Sequence, residues 1–396
     1  MKVLAVHNQY QRPGGEDAVF EAETAMLEAH GNEVVRYTTH NNRVDEFNKM
    51  NLARIAIWNN AASREIRALI RREKPAVMHV HNTLPLISPA VYHVARAEGV
   101  GVVQSLHNYR LLCPSALLFR DTHVCEDCLG RAIPWPGVVH GCYRDSRAAT
   151  GVVAAMLATH WALGTWTDAV DTYIAMSEFA RRKFVQGGMP QAKIAVKPNF
   201  VAPDPGVGDH SGGYALFVGR HSAEKGLQTL LEAWKELDDI PLKIAGGIPP
   251  SEVVKSSPGS VTWVGRPPKD EVTRLMQDAA VLVFPSEVYE GFPVTIAEAF
   301  ATGLPVVASR LGAMIELIDH DRTGAHFTPG DAADLRRVMR RVFTDPDRLR
   351  RLSRGARADF EQKYTCERNY EILSGIYRSA LPSHATGSVR AQPLRP

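Results

Sequence analysis

Two glutamates bracket one turn in the second half of the sequence, and their position predicts a binding site for hydroxyl groups. Val281–Phe284 is an apolar run typical of a buried strand, and Glu290 follows it in a loop. Pro293 then opens a short predicted helix, Val294–Ala301, that carries Glu298. A ligand site is expected where a parallel strand meets a loop and a helix N-terminus. Carboxylates repel phosphate and suit the hydroxyls of a sugar or ribose; the alternative is a helix cap beside a solvated acid.

Two cations at the end of another predicted strand suit a diphosphate. Arg220 and Lys225 follow the apolar run Ala215–Val218. They lie in a loop that contains glycine, just before a helix predicted over Leu227–Leu237. Guanidinium and ammonium groups bind phosphate oxygens, and a helix N-terminus favours the same charge. The alternative is a pair of solvated surface cations.

The first half of the chain contributes a glycine pair and two histidines. Gly14 and Gly15 precede a helix predicted over Ala18–Ala29, and paired glycines let backbone N–H groups approach an anion. Any tight strand–helix turn is the alternative use of glycine there. His107 ends a predicted strand and would face the cleft, which favours a function, whereas His81 is more typical of a packing residue.

Four of the five cysteines fall close together, with a spacing typical of a metal site. They are Cys113, Cys125, Cys128 and Cys142. The Cys125–Cys128 knuckle resembles half of a structural zinc site, and four thiolates would close a tetrahedron with no open position for catalysis. Two alternatives remain: reduced core cysteines, or a site in which His123 or His140 replaces one thiolate.

The order of predicted elements indicates two α/β domains, each with a doubly wound, mostly parallel sheet. Strands alternate with helices in the first half, and the alternation begins again after a Pro- and Gly-rich linker at 203–213. The expected divisions are a Rossmann-like domain at 1–200 with a Cys-rich insertion at 107–145, a second such domain at 201–365, a helix at 366–381 that crosses back to the first domain, and a disordered tail at 382–396.

Composition sets the broad class. The 396 residues are 45% hydrophobic and 22% charged, as in ordinary globular proteins, and a net charge of +3 gives no reason to expect nucleic acid. No apolar run has the length of a membrane span or a secretory signal, so we expect a cytoplasmic protein with reduced cysteines. The apolar stretch 150–167 is expected to pack inside the protein, and the Arg-rich stretch 331–364 is expected to form solvated helix faces. For both, peripheral contact with the inner face of the membrane is an alternative.

Together these features resemble the retaining glycosyltransferases of family 4, or glycosyl transferases group 1, which have the GT-B fold. The resemblance covers nearly the whole chain. The matching segments are Gly219–Arg220, Glu224–Gly226, Glu290–Ala299, Gly303–Ala308 and Gly312–Gly324. It implies a hexosyltransferase that moves a sugar from a nucleotide-diphosphate donor of the UDP or GDP type. The implied acceptor is a hydroxyl of a saccharide or lipid-linked saccharide, in polysaccharide or cell-surface glycan synthesis.

The resemblance also implies roles for the second-domain residues. Arg220 and Lys225 would bind the donor diphosphate and offset the charge that builds on the leaving group. Glu290 would hold the hydroxyls of the donor sugar, with Gly291 and Phe292 in the same donor-binding loop. No catalytic metal is implied, because cations and helix N–H groups already face the diphosphate.

The remaining implied contacts come from both domains. Glu298 would hold the ribose, and Arg266 lies near the base. Gly14 and Gly15 would close over the phosphates, and His107 would reach the donor sugar. The implied catalytic residues are His107, Arg220, Lys225 and Glu290.

The resemblance implies retention by same-face attack, in which the leaving diphosphate accepts the proton of the acceptor hydroxyl. Glu290 acting as a nucleophile is an alternative. Two other functions stay open at the sequence level: a sugar-nucleotide epimerase of the same fold, and a non-catalytic scaffold that binds sugar nucleotides. The spacing of Glu290 and Glu298 favours transfer over epimerisation.

Overall fold

The first half of the chain forms a parallel sheet and a small hairpin. The computed structural model describes residues 1–12 and 14–381, so the expected tail at 382–396 lies outside the described residues. The strands are β1 (Lys2–Gln9), β2 (Glu33–His40), β3 (Val77–Asn82), β4 (Gly101–Leu106), β5 (Phe119–Arg120), β6 (His123–Val124), β7 (Thr172–Ala175) and β8 (Ile194–Val196). Six of them form a parallel sheet in the order β2-β1-β3-β4-β7-β8, and β5 pairs with β6 in an antiparallel hairpin.

The second half forms another six-stranded parallel sheet. Its strands are β9 (Ala215–Val218), β10 (Leu242–Ala245), β11 (Val261–Gly265), β12 (Val281–Phe284), β13 (Val306–Ser309) and β14 (Gly324–Phe327). Their order is β11-β10-β9-β12-β13-β14. Buried apolar runs such as β12 supply the centre of the sheet, as expected for strands covered on both faces. The predicted α/β class with two doubly wound sheets is confirmed.

Helices flank both sheets. In the first half they are α1 (Gly15–Ala29), α2 (Lys49–Ile57), α3 (Asn60–Glu73), α4 (Ala90–Ala97), α5 (Trp135–His140), α6 (Arg147–Ala162) and α7 (Glu178–Gln186). In the second half they are α8 (Leu227–Trp234), α9 (Ser251–Ser256), α10 (Lys269–Asp278), α11 (Val294–Ala301), α12 (Met314–Leu317), α13 (Ala332–Phe343), α14 (Pro346–Lys363) and α15 (Cys366–Ala380). The helix predicted over Leu227–Leu237 ends early, at Trp234, and strand β14 was not predicted.

Each sheet has a point where the direction of strand addition reverses. In the first sheet this point lies between β1 and β3, and in the second between β9 and β12. Loops that leave the carboxyl ends of two such strands diverge to opposite faces and leave a crevice between them. The loop with Gly14 follows β1, and the loops with Arg220 and Glu290 follow β9 and β12. The topology therefore sets most of the predicted site residues at the two crevices.

The last helix, α15, packs on the first sheet although it follows the second in sequence. Tyr377 Oη and His79 Nδ1 are 2.8 Å apart, and Lys197 Nζ donates to Asn369 Oδ1 at 3.0 Å. Lys197 also pairs with Glu23 at 3.3 Å, fully buried. A Cβ on Gly101 would lie 2.3 Å from the Ala380 carbonyl oxygen, so the helix end approaches β4 at a distance that only glycine allows.

Membrane contact was an alternative for two stretches, 150–167 and 331–364. Packing in the core explains apolar residues of the first, and ion pairs explain arginines of the second. Helix α6 buries Val153 and Leu157 in the first-domain core. Arginines of α13 and α14 pair with acids, as in Arg340–Asp239 at 3.1 Å. Among residues 1–12 and 14–381, no helix combines the length and the apolar character needed to cross a membrane.

Candidate functional site

The loops after β9 and β12 touch through a glycine. Lys225 closes a short 3-10 turn, and Gly226 follows with φ +69°, in the left-handed region. A Cβ on Gly226 would lie 1.9 Å from the carbonyl oxygen of Pro285. Any side chain here would push the two loops apart, so glycine is what allows Lys225 to approach the loop after β12.

Lys225 and Glu290 form a compact ion pair with a serine at its side. Lys225 Nζ donates to Glu290 Oε1 at 2.6 Å, and Ser286 Oγ donates to the same oxygen at 2.7 Å. Both charged side chains are mostly covered, with 19% and 14% of their surface exposed. The carboxylate is held on one oxygen by charge and by a hydroxyl, which fixes its orientation. The sequence analysis did not single out Ser286. Its place in the loop that carries Glu290 could have indicated a role beside that carboxylate.

Arg220 lies in the same loop as Lys225 and is far more exposed. Its side chain is 72% exposed and donates to Glu224 Oε1 at 3.2 Å. Arg266, after β11, is also exposed. His221, which sequence reasoning also missed, directly follows Arg220 in the chain. Both of its ring nitrogens are buried and lack a partner within the described residues, and burial with the charge of Arg266 lowers its pKa.

Glu298 lies within α11, one helix after the loop that carries Glu290. Burial raises the pKa of its carboxyl group, and the charge of Lys269 acts in the opposite direction. A half-buried carboxylate that has lost part of its hydration gains most from hydroxyl donors. The ribose contact expected of Glu298 stays a prediction.

The loop with Glu290 also forms the boundary with the first domain. Tyr109 Oη donates to the Glu290 carbonyl at 3.4 Å, and Ser177 Oγ donates to the Gly291 carbonyl at 2.8 Å. A Cβ on Gly291 would lie 3.2 Å from the backbone oxygen of His107. Glu290 and His107, predicted from separate halves of the sequence, therefore meet at one boundary. Phe292, next in the loop, is buried there.

His107 is half-buried and pairs with His81, which is buried. Its Nε2 lies 2.9 Å from Nδ1 of His81, and the two rings stack. Burial holds the pKa of both imidazoles well below the ordinary value, and Lys197 lowers it further. Both rings are therefore neutral near pH 7, with one donating to the other. His81, which the sequence suggested was a packing residue, is the direct partner of His107.

The glycine loop after β1 is tied down by its own helix. Gly14 is the N-cap of α1, and its N–H donates to Asp17 Oδ2 at 2.8 Å. Gly15, exposed, opens the helix itself. Glu16 accepts from Tyr10 Oη at 2.9 Å, and burial, the main cause, raises its pKa to about 7. The loop presents one glycine N–H that is already bonded and a carboxyl group that titrates near neutral pH.

A cavity of about 250 Å³ opens beside His107 in the first domain. Its wall includes Tyr10, His81, Asn108, Arg110, Tyr143 and Arg144. Arg110 lies over the ring of Tyr143, 4.9 Å from its centroid. The cavity therefore combines aromatic faces, hydrogen-bond donors and two guanidinium groups. The four predicted metal-binding cysteines surround a second, much smaller cavity.

Two family patterns match consecutive parts of the chain. The family described as Glycosyltransferase Family 4 matches residues 13–205, and the family described as Glycosyl transferases group 1 matches residues 208–359. The boundary between the two matches coincides with the linker that joins the two sheets.

Curated relatives are sugar transferases. The chain is 34% identical over 113 residues to the MMP alpha-(1->4)-mannosyltransferase of Mycolicibacterium hassiacum, covering 28% of this chain and 27% of that protein. It is 29% identical to the D-rhamnosyltransferase WbpZ of Pseudomonas aeruginosa, covering 38% and 42%. It is 23% identical to the sulfoquinovosyl transferase SQD2 of Arabidopsis thaliana, covering 87% and 66%. The chain thus spans less than two thirds of the length of each of these relatives.

Solved structures with the same architecture cover almost the whole chain. A sucrose-phosphate synthase from Thermosynechococcus elongatus superposes with a TM-score of 0.68 at 17% identity, covering 95% of this chain and 98% of that one. The Anabaena protein Alr3699/HepE, in complex with UDP, superposes with a TM-score of 0.65 at 16% identity, covering 96% and 100%. At these identities the likeness shows the fold.

Proposed function

The chain belongs to the GT-B glycosyltransferases of the family-4, group-1 type, and on that premise we propose that it transfers a sugar from a nucleotide-diphosphate donor to a hydroxyl acceptor. The observation that carries the proposal is the cluster of Lys225, Ser286 and Glu290 at the boundary with His107. It combines a cation for phosphate, a carboxylate for sugar hydroxyls and a contact to the opposite domain. Relatives that transfer mannose, rhamnose and sulfoquinovose support the same reaction class.

In the proposed reaction, Arg220 and Lys225 bind the donor diphosphate. Cleavage of the glycosyl–phosphate bond leaves negative charge on the diphosphate and positive charge on the sugar ring. Fixed cations stabilise that charge without reorganisation, and they do so most strongly where they are covered, as Lys225 is. Lys225 can serve this way because Gly226 holds it close to the loop after β12. The complex of Alr3699/HepE with UDP supports a nucleotide donor of the UDP type.

Glu290 orients the donor sugar in this proposal, and Glu298 holds the ribose. Both hydrogen bonds found on Glu290 fall on Oε1. Its second oxygen is the one that we assign to a sugar hydroxyl. Gly291 and Phe292 set the path of the loop, and Arg266 lies at the base side. His107, neutral and held by His81, offers a hydrogen bond from the first domain.

We further propose that the reaction retains the anomeric configuration and needs no catalytic metal. Arg220 and Lys225 supply the positive charge that a divalent cation would otherwise provide. The oxygen of the departing diphosphate takes the proton of the acceptor hydroxyl while the hydroxyl oxygen bonds to the anomeric carbon from the same face. No side chain then acts as a nucleophile, and Glu290 remains a binding group.

We assign the saccharide acceptor to the cavity beside His107. The rings of Tyr10 and Tyr143 suit the faces of sugar rings, and Asn108 suits their hydroxyls. Arg110 and Arg144 add two positive charges, which favour an acceptor that carries an anionic group, such as the phosphate of a lipid-linked saccharide.

Peripheral contact with the inner face of the membrane fits such an acceptor. Ile133 and Trp135 expose 58% and 54% of their surface on the Cys-rich insertion, and Arg131 lies over the Trp135 ring. Exposed tryptophan beside arginine is typical of a surface that rests on anionic lipid headgroups. The five cysteines are free thiols, which fits the reducing cytoplasm.

Product analysis tests this proposal. The full chain is incubated with UDP- and GDP-sugars and a saccharide acceptor, with excess chelator or with magnesium, and the product is followed by NMR. We expect the donor's anomeric configuration in the product and equal rates with and without magnesium. An inverted product would refute retention, and activity that needs the added cation would refute metal independence. Isomerised donor with no transfer would favour an epimerase instead.

A further inference from the structure

The Cys-rich insertion is a compact unit built around its cysteines. It contains the β5–β6 hairpin and α5, and it joins β4 to α6. A cavity of about 10 Å³ lies at its centre. The cavity is lined by all four cysteines together with Phe119, Arg120, Asp127 and Pro136. Cysteines that are up to 29 positions apart in sequence therefore line one small cavity.

The cavity has the size of one bound ion, and all four thiols are free. A space of about 10–15 Å³ on this scale holds a single water or ion. Cys113 and Cys128 are buried, and Cys125 and Cys142 are half-buried. A Cβ on Gly137 would lie 3.0 Å from Pro114 and 3.4 Å from Cys128 Sγ, so the glycine keeps α5 close against the cluster.

We propose that Cys113, Cys125, Cys128 and Cys142 bind one structural zinc ion. Four thiols lose their protons and coordinate Zn²⁺ in a tetrahedron with Zn–S bonds of about 2.3 Å. This places the sulfurs about 3.8 Å apart. Within residues 1–12 and 14–381, only Glu23, His79 and His81 place three ligand atoms within 4.8 Å of one another. The four sulfurs line one cavity but no three of them lie within 4.8 Å of one another, so zinc binding would draw them inward.

The histidines that could replace a thiolate lie outside the cluster. His123 is exposed, and its Nδ1 contacts the carbonyl of Asp121 at 3.0 Å. His140 is exposed at the end of α5. The cavity is lined by thiols at four positions, which favours an all-cysteine site.

The group of Glu23, His79 and His81 is a weaker metal candidate. Lys197 Nζ lies 3.3 Å from Glu23, fully buried, and already provides the positive charge there. Both nitrogens of His79 are engaged, by Tyr377 and by Ser105. Glu23 Oε1 has no hydrogen-bond partner within the described residues, but the buried Lys197 ammonium and the engaged nitrogens of His79 argue against a cation there.

The metal would hold the wall of the cavity beside His107. Arg110 lies three residues before Cys113, and Tyr143 and Arg144 directly follow Cys142. Fixing the two ends of the insertion on one ion would therefore fix Arg110 and Arg144, the two arginines that contact the Tyr143 ring. The zinc is structural, and its effect on transfer is to position side chains that we assign to the acceptor.

Metal analysis of the full chain tests the proposal. The protein is purified without a metal-affinity step or chelator, and zinc is measured per chain by mass spectrometry. We expect one zinc per wild-type chain, and its loss in Cys125→Ser/Cys128→Ser. Cys366→Ser is the matched control, because Cys366 lies on α15 outside the cluster; it should keep its zinc.

Cobalt exchange keeps the test decisive if the double variant fails to fold. Wild-type protein grown with cobalt should show thiolate-to-cobalt absorption and the visible bands of a tetrahedral site. Wild-type protein with neither zinc nor this cobalt spectrum would overturn the proposal. Iron with sulfide, or four thiols oxidised to disulfides in the native protein, would also overturn it. Donor binding in the second domain uses none of these cysteines, so its failure would be seen separately.

Discussion

At the scale of single residues, the site depends on a lysine and a glutamate that share one hydrogen-bond cluster. Lys225 and Ser286 both bind Glu290 Oε1, so the carboxylate is oriented before any sugar arrives. Preorganised charge is worth most where water is excluded, and both charged side chains are largely covered. The chemistry of the proposed transfer therefore depends on few side chains, and these are open to direct tests.

Lys225→Ala should reduce turnover strongly. The variant removes a fixed positive charge facing the departing diphosphate, and loss of one such group costs about 10²–10³-fold in turnover. Glu290→Gln should also lower turnover, because the amide binds sugar hydroxyls less strongly than a carboxylate does. Donor hydrolysis and transfer are measured for both variants. Lys235→Ala is the matched control, an exposed cation that pairs with Glu232 on the helix surface. Turnover of Lys225→Ala equal to that of this control would contradict the assignment.

Glu16 should make the stability of the first domain depend on pH. Burial, the main cause, raises its pKa from 4.5 to about 7, so the folded chain holds this proton more tightly than the unfolded chain. Stability is then lost as pH rises between these two values, and the loss is complete above the folded pKa. Glu16→Gln should therefore match wild type near pH 5 and be more stable by about 1–2 kcal/mol near pH 8.

Urea unfolding at several pH values measures this difference. Glu21→Gln is the control, because Glu21 is exposed on the same helix, α1. The stability difference of the control should not change with pH. A Glu16→Gln variant whose advantage is also independent of pH would show that the Glu16 carboxyl titrates normally.

At the scale of elements, the contact between the β9 and β12 loops depends on Gly226. Its φ of +69° and the 1.9 Å approach to Pro285 both exclude a side chain. Gly226→Ala should lower stability by more than the roughly 1–2 kcal/mol of left-handed strain alone, and should weaken donor binding by displacing Lys225. Gly213→Ala is the control, since Gly213 has a similar φ of +63° with open space around it.

Calorimetry and donor titration separate the two variants. Gly213→Ala should show the strain cost and bind donor normally. If the two variants had equal stability and equal donor affinity, separation of the β9 and β12 loops would not affect the site.

The sequence carried enough local information to predict most elements. The segment from Val281 to Ala301 was predicted well because its apolar run, proline and helix period agree. Strand β14 (Gly324–Phe327) was missed because four residues that include glycine and histidine give no clear period. Helix α8 was predicted too long because Leu237 continues its apolar period, whereas residues 235–237 form separate turns with bonds to the third residue before.

The site was less predictable than the elements, for a physical reason. The roles of Ser286 and His81 depend on contacts between loops that follow different strands. The ring of His221 lies against Trp263 and Gly247, which are distant in sequence. Side-chain type and strand-end position identify candidates, but only the packing of loops decides which candidates touch.

At the scale of the whole molecule, the two sheets direct their switch-point loops at one boundary. The α7 N-terminus of the first domain donates two N–H groups to Glu316 of the second, at 2.8 and 2.9 Å. The Glu290 loop makes further backbone contacts with Tyr109 and Ser177. A donor held by the second domain and an acceptor held by the first would therefore meet where His107 and Glu290 already lie together.

The central claim is that Arg220 and Lys225 bind a nucleotide-diphosphate sugar, and donor-dependent stabilisation tests it most directly. Thermal unfolding is measured with a panel of UDP-, GDP- and ADP-sugars and with the free nucleoside diphosphates. A ligand at 100 times its dissociation constant should stabilise the chain by about 2.7 kcal/mol. We predict stabilisation of the wild type by one class of donor, and its loss in Arg220→Ala/Lys225→Ala. Failure of every donor and diphosphate to stabilise the wild type, or undiminished stabilisation of the double variant, would contradict the account.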